Sequence, residues 1–170
     1  MTKAYILGAL HDGTKRRNTF RISQKSKSYI KFLAKSIKAL GYNAWIYKEG
    51  KNRNLYIVEF SKFVLDKTEI NSTNEKIDYL KGYFDAEGGI AKNQKVRYYL
   101  YFAQKNLSDL KKVKKYLTEL KIETGKIHNP SKTVDPNYWR FYIRANSYEK
   151  FAEIIGSDHP IKSHFLRMKR

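Results

Sequence analysis

The chain of 170 residues carries 35 Lys and Arg against 16 Asp and Glu, a formal charge of +19. That excess calls for a polyanionic partner, nucleic acid or an anionic membrane surface. A hydrophobic content of 41% and the complete absence of cysteine exclude disorder, a disulfide framework, a thiolate zinc site and a cysteine nucleophile.

In chain order, Tyr5-Ile6-Leu7-Gly8-Ala9-Leu10-His11-Asp12-Gly13 reads as a short apolar helix ending in an acid and a glycine. Lys15-Arg16-Arg17 follows as a basic hairpin tip, well placed for phosphates. From Thr19 to Gln24, Phe20 and Ile22 alternate with Thr19, Arg21 and Ser23, so the first set packs inward and the second faces out. Ile30, Leu33, Ile37 and Leu40 then recur at helical spacing. Ala44 to Phe60 is rich in strand formers, but Leu55 to Phe60 is apolar on both faces apart from Glu59, and its orientation stays open. Trp45 and Trp139 read as core residues.

The same order returns. Tyr79-Leu80-Lys81-Gly82-Tyr83-Phe84-Asp85-Ala86-Glu87-Gly88 is a second apolar helix ending in an acid and a glycine. Ala91 to Lys95 is a longer polar hairpin tip. Tyr98, Leu100 and Phe102 alternate with Arg97, Tyr99 and Tyr101, and Phe102-Ala103-Gln104-Lys105 echoes Ile22-Ser23-Gln24-Lys25 eighty positions earlier. Leu110, Val113, Tyr116, Leu117 and Leu120 mark a helix whose lysines, Lys111 to Lys115, form a solvated face. Between Tyr138 and Arg144, Trp139, Phe141 and Ile143 alternate with Tyr138, Arg140, Tyr142 and Arg144. The expected fold is α+β, a duplicated αββαββα unit, with residues 1–70 and 76–170 as its halves and 71–75 as linker. No apolar run approaches the roughly 20 residues of a membrane span, and no secretory signal pattern opens the chain.

Outward faces of Arg, Tyr, Thr and Ser supply the donors, acceptors and stacking surfaces that read phosphates and base edges. The candidate DNA contacts are Lys15, Arg17, Thr19, Arg21, Ser23, Arg97, Tyr99, Tyr101, Arg140, Tyr142 and Arg144. Small residues let helices approach closely, so Gly82 and Ala86 against Gly8 and Ala9 would bring Asp12 and Glu87 side by side. Paired carboxylates there suit a hard divalent cation, because Mg²⁺ is commonly held by one or two carboxylates with phosphates and waters. His11 reads as a packing neighbour of the acid, and Asp85 as a capping or ion-paired group.

Motifs, duplication and charge together resemble the LAGLIDADG homing endonucleases in their single-chain, pseudo-symmetric form. The likeness spans essentially the whole chain. Leu80-Lys81-Gly82-Tyr83-Phe84-Asp85-Ala86-Glu87-Gly88 matches the nine-residue signature well. The first copy is one residue short: Gly8 to Asp12 is four steps where Gly82 to Glu87 is five. Aligned on Asp12-Gly13, it puts Leu7 at the signature glycine and His11 at a small-residue position. The resemblance implies two saddle-like antiparallel sheets flanking a central two-helix interface and gripping the major groove of a long, asymmetric duplex. It implies Mg²⁺, with Mn²⁺ or Ca²⁺ as substitutes, held at Asp12 and Glu87 with Gly13 and Gly88 beside them. Gln24, Gln104 and Lys162 would position water and offset charge. The implied activity is site-specific double-strand cleavage by a monomer with internal pseudo-two-fold symmetry, in the cytoplasm or in an organelle that encodes it. A catalytically degenerate DNA binder and an intron RNA maturase are the alternatives on the same fold.

Overall fold

The computed structural model describes residues 1–93 and 95–167. They form two units, Met1–Ala86 and Glu87–Arg170. The first contains α1 (Lys3–Ala9), β1 (Gly13–Lys15), β2 (Thr19–Gln24), α2 (Lys27–Ala39), β3 (Ala44–Lys48), β4 (Tyr56–Ser61) and nearly all of α3 (Thr73–Glu87). The second contains β5 (Gly88–Ile90), β6 (Leu100–Gln104), α4 (Leu107–Glu119), β7 (Trp139–Tyr142), α5 (Tyr148–Ile154) and α6 (Pro160–Arg167). Each unit carries one antiparallel sheet, in order β1-β2-β4-β3 and β5-β6-β7 respectively. Helix–hairpin repetition is therefore present as the sequence pattern predicts. Among the described residues no helix is long and apolar enough to cross a membrane.

Helix boundaries follow from local hydrogen-bond chemistry. The Ser26 and Asn106 side chains cap α2 and α4 by accepting from backbone N–H groups one turn in, at 3.3 Å from Tyr29 N and 2.9 Å from Ser108 N. Ser72 and Glu75 form a capping box: Glu75 Oε2 accepts from Ser72 N at 2.8 Å and Ser72 Oγ accepts from Glu75 N at 3.2 Å. Helix α3 therefore starts at Thr73, inside the expected linker, and runs for 15 residues.

Alternation decides which face of each sheet is buried. In the first unit Ile22, Val58 and Phe60 pack with Ile30, Leu33 and Ile37 of α2 and with Tyr5, Ile6 and Ala9 of α1, all fully buried. In the second unit Leu100, Phe102 and Phe141 meet Leu110, Val113 and Leu117 of α4, and Phe102 stacks on Phe141 at 5.4 Å between ring centres. Burying each such side chain contributes about 1.5–3 kcal/mol. Among the described residues the second sheet has no regular fourth strand. Residues 124 and 128 instead pair with Ile143 and Arg140 as isolated bridges, and His128 and Arg140 exchange two backbone hydrogen bonds of 2.9 Å. β6 begins at Leu100, so Arg97 to Tyr99 precede it as irregular chain, although Ala91 N still donates to Tyr99 O. Within the polar tip, Gln94 lies outside the described residues.

Candidate functional site

The two motif helices cross at their glycines. A Cβ on Gly8 would overlap Tyr79 O and lie 2.8 Å from Tyr83 N, and one on Gly82 would overlap Tyr5 O and lie 3.0 Å from Ala9 N. The contact is reciprocal, so Gly8, and not Leu7, is the counterpart of Gly82. The missing residue therefore falls after the glycine, where α1 gives way to a 3₁₀ turn over Leu10–Asp12. A 3₁₀ step rises about 2.0 Å against 1.5 Å for an α step, so four mixed steps advance about 7 Å where five α steps advance about 7.5 Å. The tighter turn compensates most of the deletion. His11 is accommodated by turning onto α3: Nε2 lies 2.7 Å from Tyr79 Oη, and the ring sits 4.4 Å from Tyr83. Asp85 is buried and accepts from Tyr5 Oη at 2.5 Å, and Tyr5 in turn reaches Tyr29 Oη at 3.2 Å. Burial, with Tyr29 and Asp85 alongside, pushes the Tyr5 phenol far above its ordinary pKa. Asp85 is thus a buried clasp that joins α3 to α1 and, through Tyr5, to α2. The Asp12 side chain lies outside the described part of the structure; its backbone ends the 3₁₀ turn, and Gly13 follows in β1.

On the outward face of the first sheet, register places Arg21 opposite Glu59, Thr19 opposite Ser61 and Ser23 opposite Ile57. On the far side of β4, Trp45 also pairs with Glu59. Thr19 Oγ1 donates to Glu59 Oε1 at 2.6 Å, and Tyr47 Oη donates to Oε2. These two bonds, Thr19 first, hold the Glu59 carboxyl below its usual range, and Arg16 and Arg21 add to the effect. Arg21 lies over the Tyr47 ring at 5.6 Å and reaches Glu49 at 3.4 Å. Trp45 is 52% exposed on this face and is not a core residue, because it stands on the outer face of the edge strand β3, opposite Glu59. Lys15 and Arg17 are exposed at the β1–β2 turn, where Arg17 O accepts from Lys62 Nζ at 2.5 Å.

The second sheet presents tyrosines around one arginine. Tyr101 pairs with Tyr142 and Ala103 with Arg140. The Arg140 guanidinium lies 4.4 Å over Tyr101 and donates to Tyr138 Oη at 2.9 Å and Tyr142 Oη at 3.1 Å. Tyr99 packs edge-on to Tyr142, and His128 stacks on Tyr142 from beyond the sheet. A cleft of about 700 Å³ at the rim brings Arg97 and Arg144 together with Tyr98, Tyr99, Asn146 and Tyr148.

The two glutamines are turned the other way. Gln24 pairs with Tyr56 and Gln104 with Trp139, each on the core side at the end of its strand, and Gln104 Oε1 accepts from Lys105 N at 2.7 Å. Lys162 is only 8% exposed in the first turn of α6. That turn is capped by His159, whose Nδ1 accepts from Ile161 N at 3.2 Å. Burial above all, with the charges of Lys162 and Lys92, lowers the His159 pKa to about 4, so the ring is neutral and able to accept.

Residues 74–156 match the family model described as a LAGLIDADG-like domain. The chain has the LAGLIDADG fold. I-DmoI in complex with DNA and Mn superposes with a TM-score of 0.66 at 24% identity, over 92% of this chain and 97% of that one. I-DmoI with DNA and Ca gives 0.70 at 22%, over 98% and 96%. Full-length DUF199/WhiA from Thermatoga maritima gives 0.74 at 20%, over 99% of this chain and 60% of that chain. No curated protein matches the sequence.

Within this LAGLIDADG fold, each motif helix runs out into an acid followed by glycine, at an end where the last carbonyls lose their helical partners. The helix dipole adds partial negative charge there. Carboxylate and carbonyl oxygens suit a hard divalent cation, and a site with only one or two protein carboxylates is how Mg²⁺ is commonly held. Among the described residues no cluster of three or more His, Asp or Glu gathers. Glu59, Tyr47 and Trp45 are outer-face residues that sequence reasoning missed, because the orientation of β4 is visible only from its pairing.

Proposed function

We propose that this chain is a metal-dependent, site-specific DNA endonuclease that makes double-strand breaks in a long asymmetric duplex. The observation that carries the reading is the pair of glycine-crossed helices, each continuing into an acid-glycine step, in a protein otherwise strongly cationic. Asp12 and Glu87 are the proposed ligands of Mg²⁺, with Gly13 and Gly88 allowing close backbone approach; I-DmoI has been solved in complex with DNA and Mn or Ca, and a variant of it in the presence of Mg. When bound, such a cation supplies Lewis acidity toward a phosphodiester and lowers the pKa of attached water. The outer faces around Arg21 and Arg140 hold the duplex in its major groove, while Lys15, Arg17, Arg97 and Arg144 offset phosphate charge. Gln24, Gln104 and Lys162 complete the proposed set by positioning water and stabilising the departing oxygen's charge. The short first motif favours one second reading, a relative that grips DNA without cutting it.

Incubation with a plasmid library of randomised inserts, with and without Mg²⁺ or Mn²⁺, tests the reading directly. A metal-dependent linear product is expected. No linear product under any divalent metal overturns it, and selective capture of a folded intron RNA over duplex would replace it with the maturase reading. Asp12→Asn and Glu87→Gln should each abolish cutting while binding persists; loss of binding as well would assign these acids a structural role.

A further inference from the structure

A carboxylate in the middle of a surface built to meet phosphates is an anomaly. Glu59 opposes the phosphate field, and Arg21, its cross-strand neighbour on β2, makes its ion pair with Glu49 instead. Nor is Glu59 a loose surface acid. Thr19 donates to one carboxylate oxygen and Tyr47 to the other, from strands on either side. A carboxylate offers about four lone-pair positions, so these two donors leave acceptor capacity on a side chain of the outer face.

We infer that Glu59 is a specificity-determining residue whose carboxylate accepts from the exocyclic amine of a cytosine in the major groove. This rests on the DNA-binding reading above and adds the base to it. Among the four major-groove edges, guanine and thymine present acceptors that repel a carboxylate. Adenine offers a donor beside the N7 acceptor, which would face the second carboxylate oxygen. Cytosine presents its N4 donor without that neighbouring acceptor. The partner guanine offers O6 and N7, the pair that arginine reads, and Arg21 stands directly across the strand from Glu59. Trp45, opposite Glu59 on β3, flanks the site with an exposed apolar wall that thins the competing water.

The test is selection of bound duplexes from a randomised library by wild type and by Glu59→Gln, followed by sequencing. Wild type should prefer cytosine at one position by about tenfold or more. Glu59→Gln should lose that preference and move toward adenine, since a side-chain amide can donate to N7 while accepting from N6; the other positions should be unchanged. Glu59→Asp, with the charge kept and the reach shortened, should weaken the cytosine preference without moving it to adenine. Binding of random duplex at low salt should be at least as tight for Glu59→Gln as for wild type, which shows that the variant is folded. A consensus identical in wild type and both variants overturns the assignment and leaves the DNA-binding reading intact. A wild-type chain that enriches no sequence overturns both the assignment and the site-specific reading, and one that binds no duplex at all overturns DNA binding itself.

Discussion

The two sheets share an inner chemistry and differ on the outside. Inward, Ile22, Val58 and Phe60 in one unit correspond to Leu100, Phe102 and Phe141 in the other, and both sets are fully buried. Outward, the first sheet centres on an anion, Glu59, steered by Thr19 and Tyr47, with Arg21 alongside. The second centres on a cation, Arg140, laid on Tyr101 and tethered to Tyr138 and Tyr142. Close packing penalises a changed volume in the core, while a solvated face is free to change sign. A repeated scaffold thus keeps its interior and diversifies its surface, as the proposed recognition of an asymmetric duplex would require.

The comparison can be broken unit by unit, because each unit contains one tryptophan: Trp45 in the first and Trp139 in the second. Gly82→Ala should have the largest effect. Its Cβ has to displace the backbone of Tyr5, which cannot rotate away, so destabilisation of about 3 kcal/mol is expected. Trp45 fluorescence during thermal melting, in a Trp139→Phe background, should show a Tm lower by roughly 6–12 °C. Gly8→Ala should do the same, since Tyr79 stands in the equivalent relation to it; a tolerated Gly8→Ala would return Leu7 to the glycine position.

The next effect belongs to the second unit alone. The folded pKa of His159, about 4, lies below the unfolded value of 6.5, so the unfolded chain takes up the proton first. Its capping contribution is fully present above pH 6.5 and is lost as pH falls toward 4, by on the order of 2–3 kcal/mol at most. Trp139 melting in a Trp45→Phe background should show that loss, and His159→Asn, which caps without titrating, should flatten it. Smaller again is the response to Arg140→Gln. If Arg140 neutralises a phosphate, the slope of log binding constant against log salt falls by about 0.9, whereas a base contact leaves the slope unchanged and lowers affinity by about 1–3 kcal/mol. Arg21→Gln run in parallel shows whether the two arginines do the same work. Least of all, Tyr47→Phe should raise the Glu59 carboxyl pKa toward its ordinary value, read by NMR titration, while the fold is untouched; an unmoved pKa would leave Thr19 as the only donor that matters.

Much of this molecule is legible in the residue order. Strand β2 is read to the residue, Thr19–Gln24, because Phe20 and Ile22 alternate with polar partners. Helices α2 and α4 follow from their apolar spacing, while their Ser26 and Asn106 caps are seen only in the structure. Other features resist such reading. Strand β4 has Tyr56, Val58 and Phe60 on one side and Ile57 on the other, so its own pattern gives two answers. Trp45 looks like core by composition, yet it stands on the outer face of an edge strand. Asp85 reads as a capping or ion-paired group until Tyr5 is folded against it.

By itself, then, the sequence determined the repetition, the cationic excess, the acid-glycine steps and the inner faces of strands whose two sides differ in polarity. These are local properties, fixed by a period of two or of 3.6 along one segment. Tertiary structure alone decided that Gly8 meets α3, that a 3₁₀ turn compensates the short motif, and that Glu59 faces outward beside Arg21. Each of those depends on a second segment, since a residue's face and its partners are properties of a pairing, and no single strand or helix contains its own neighbour.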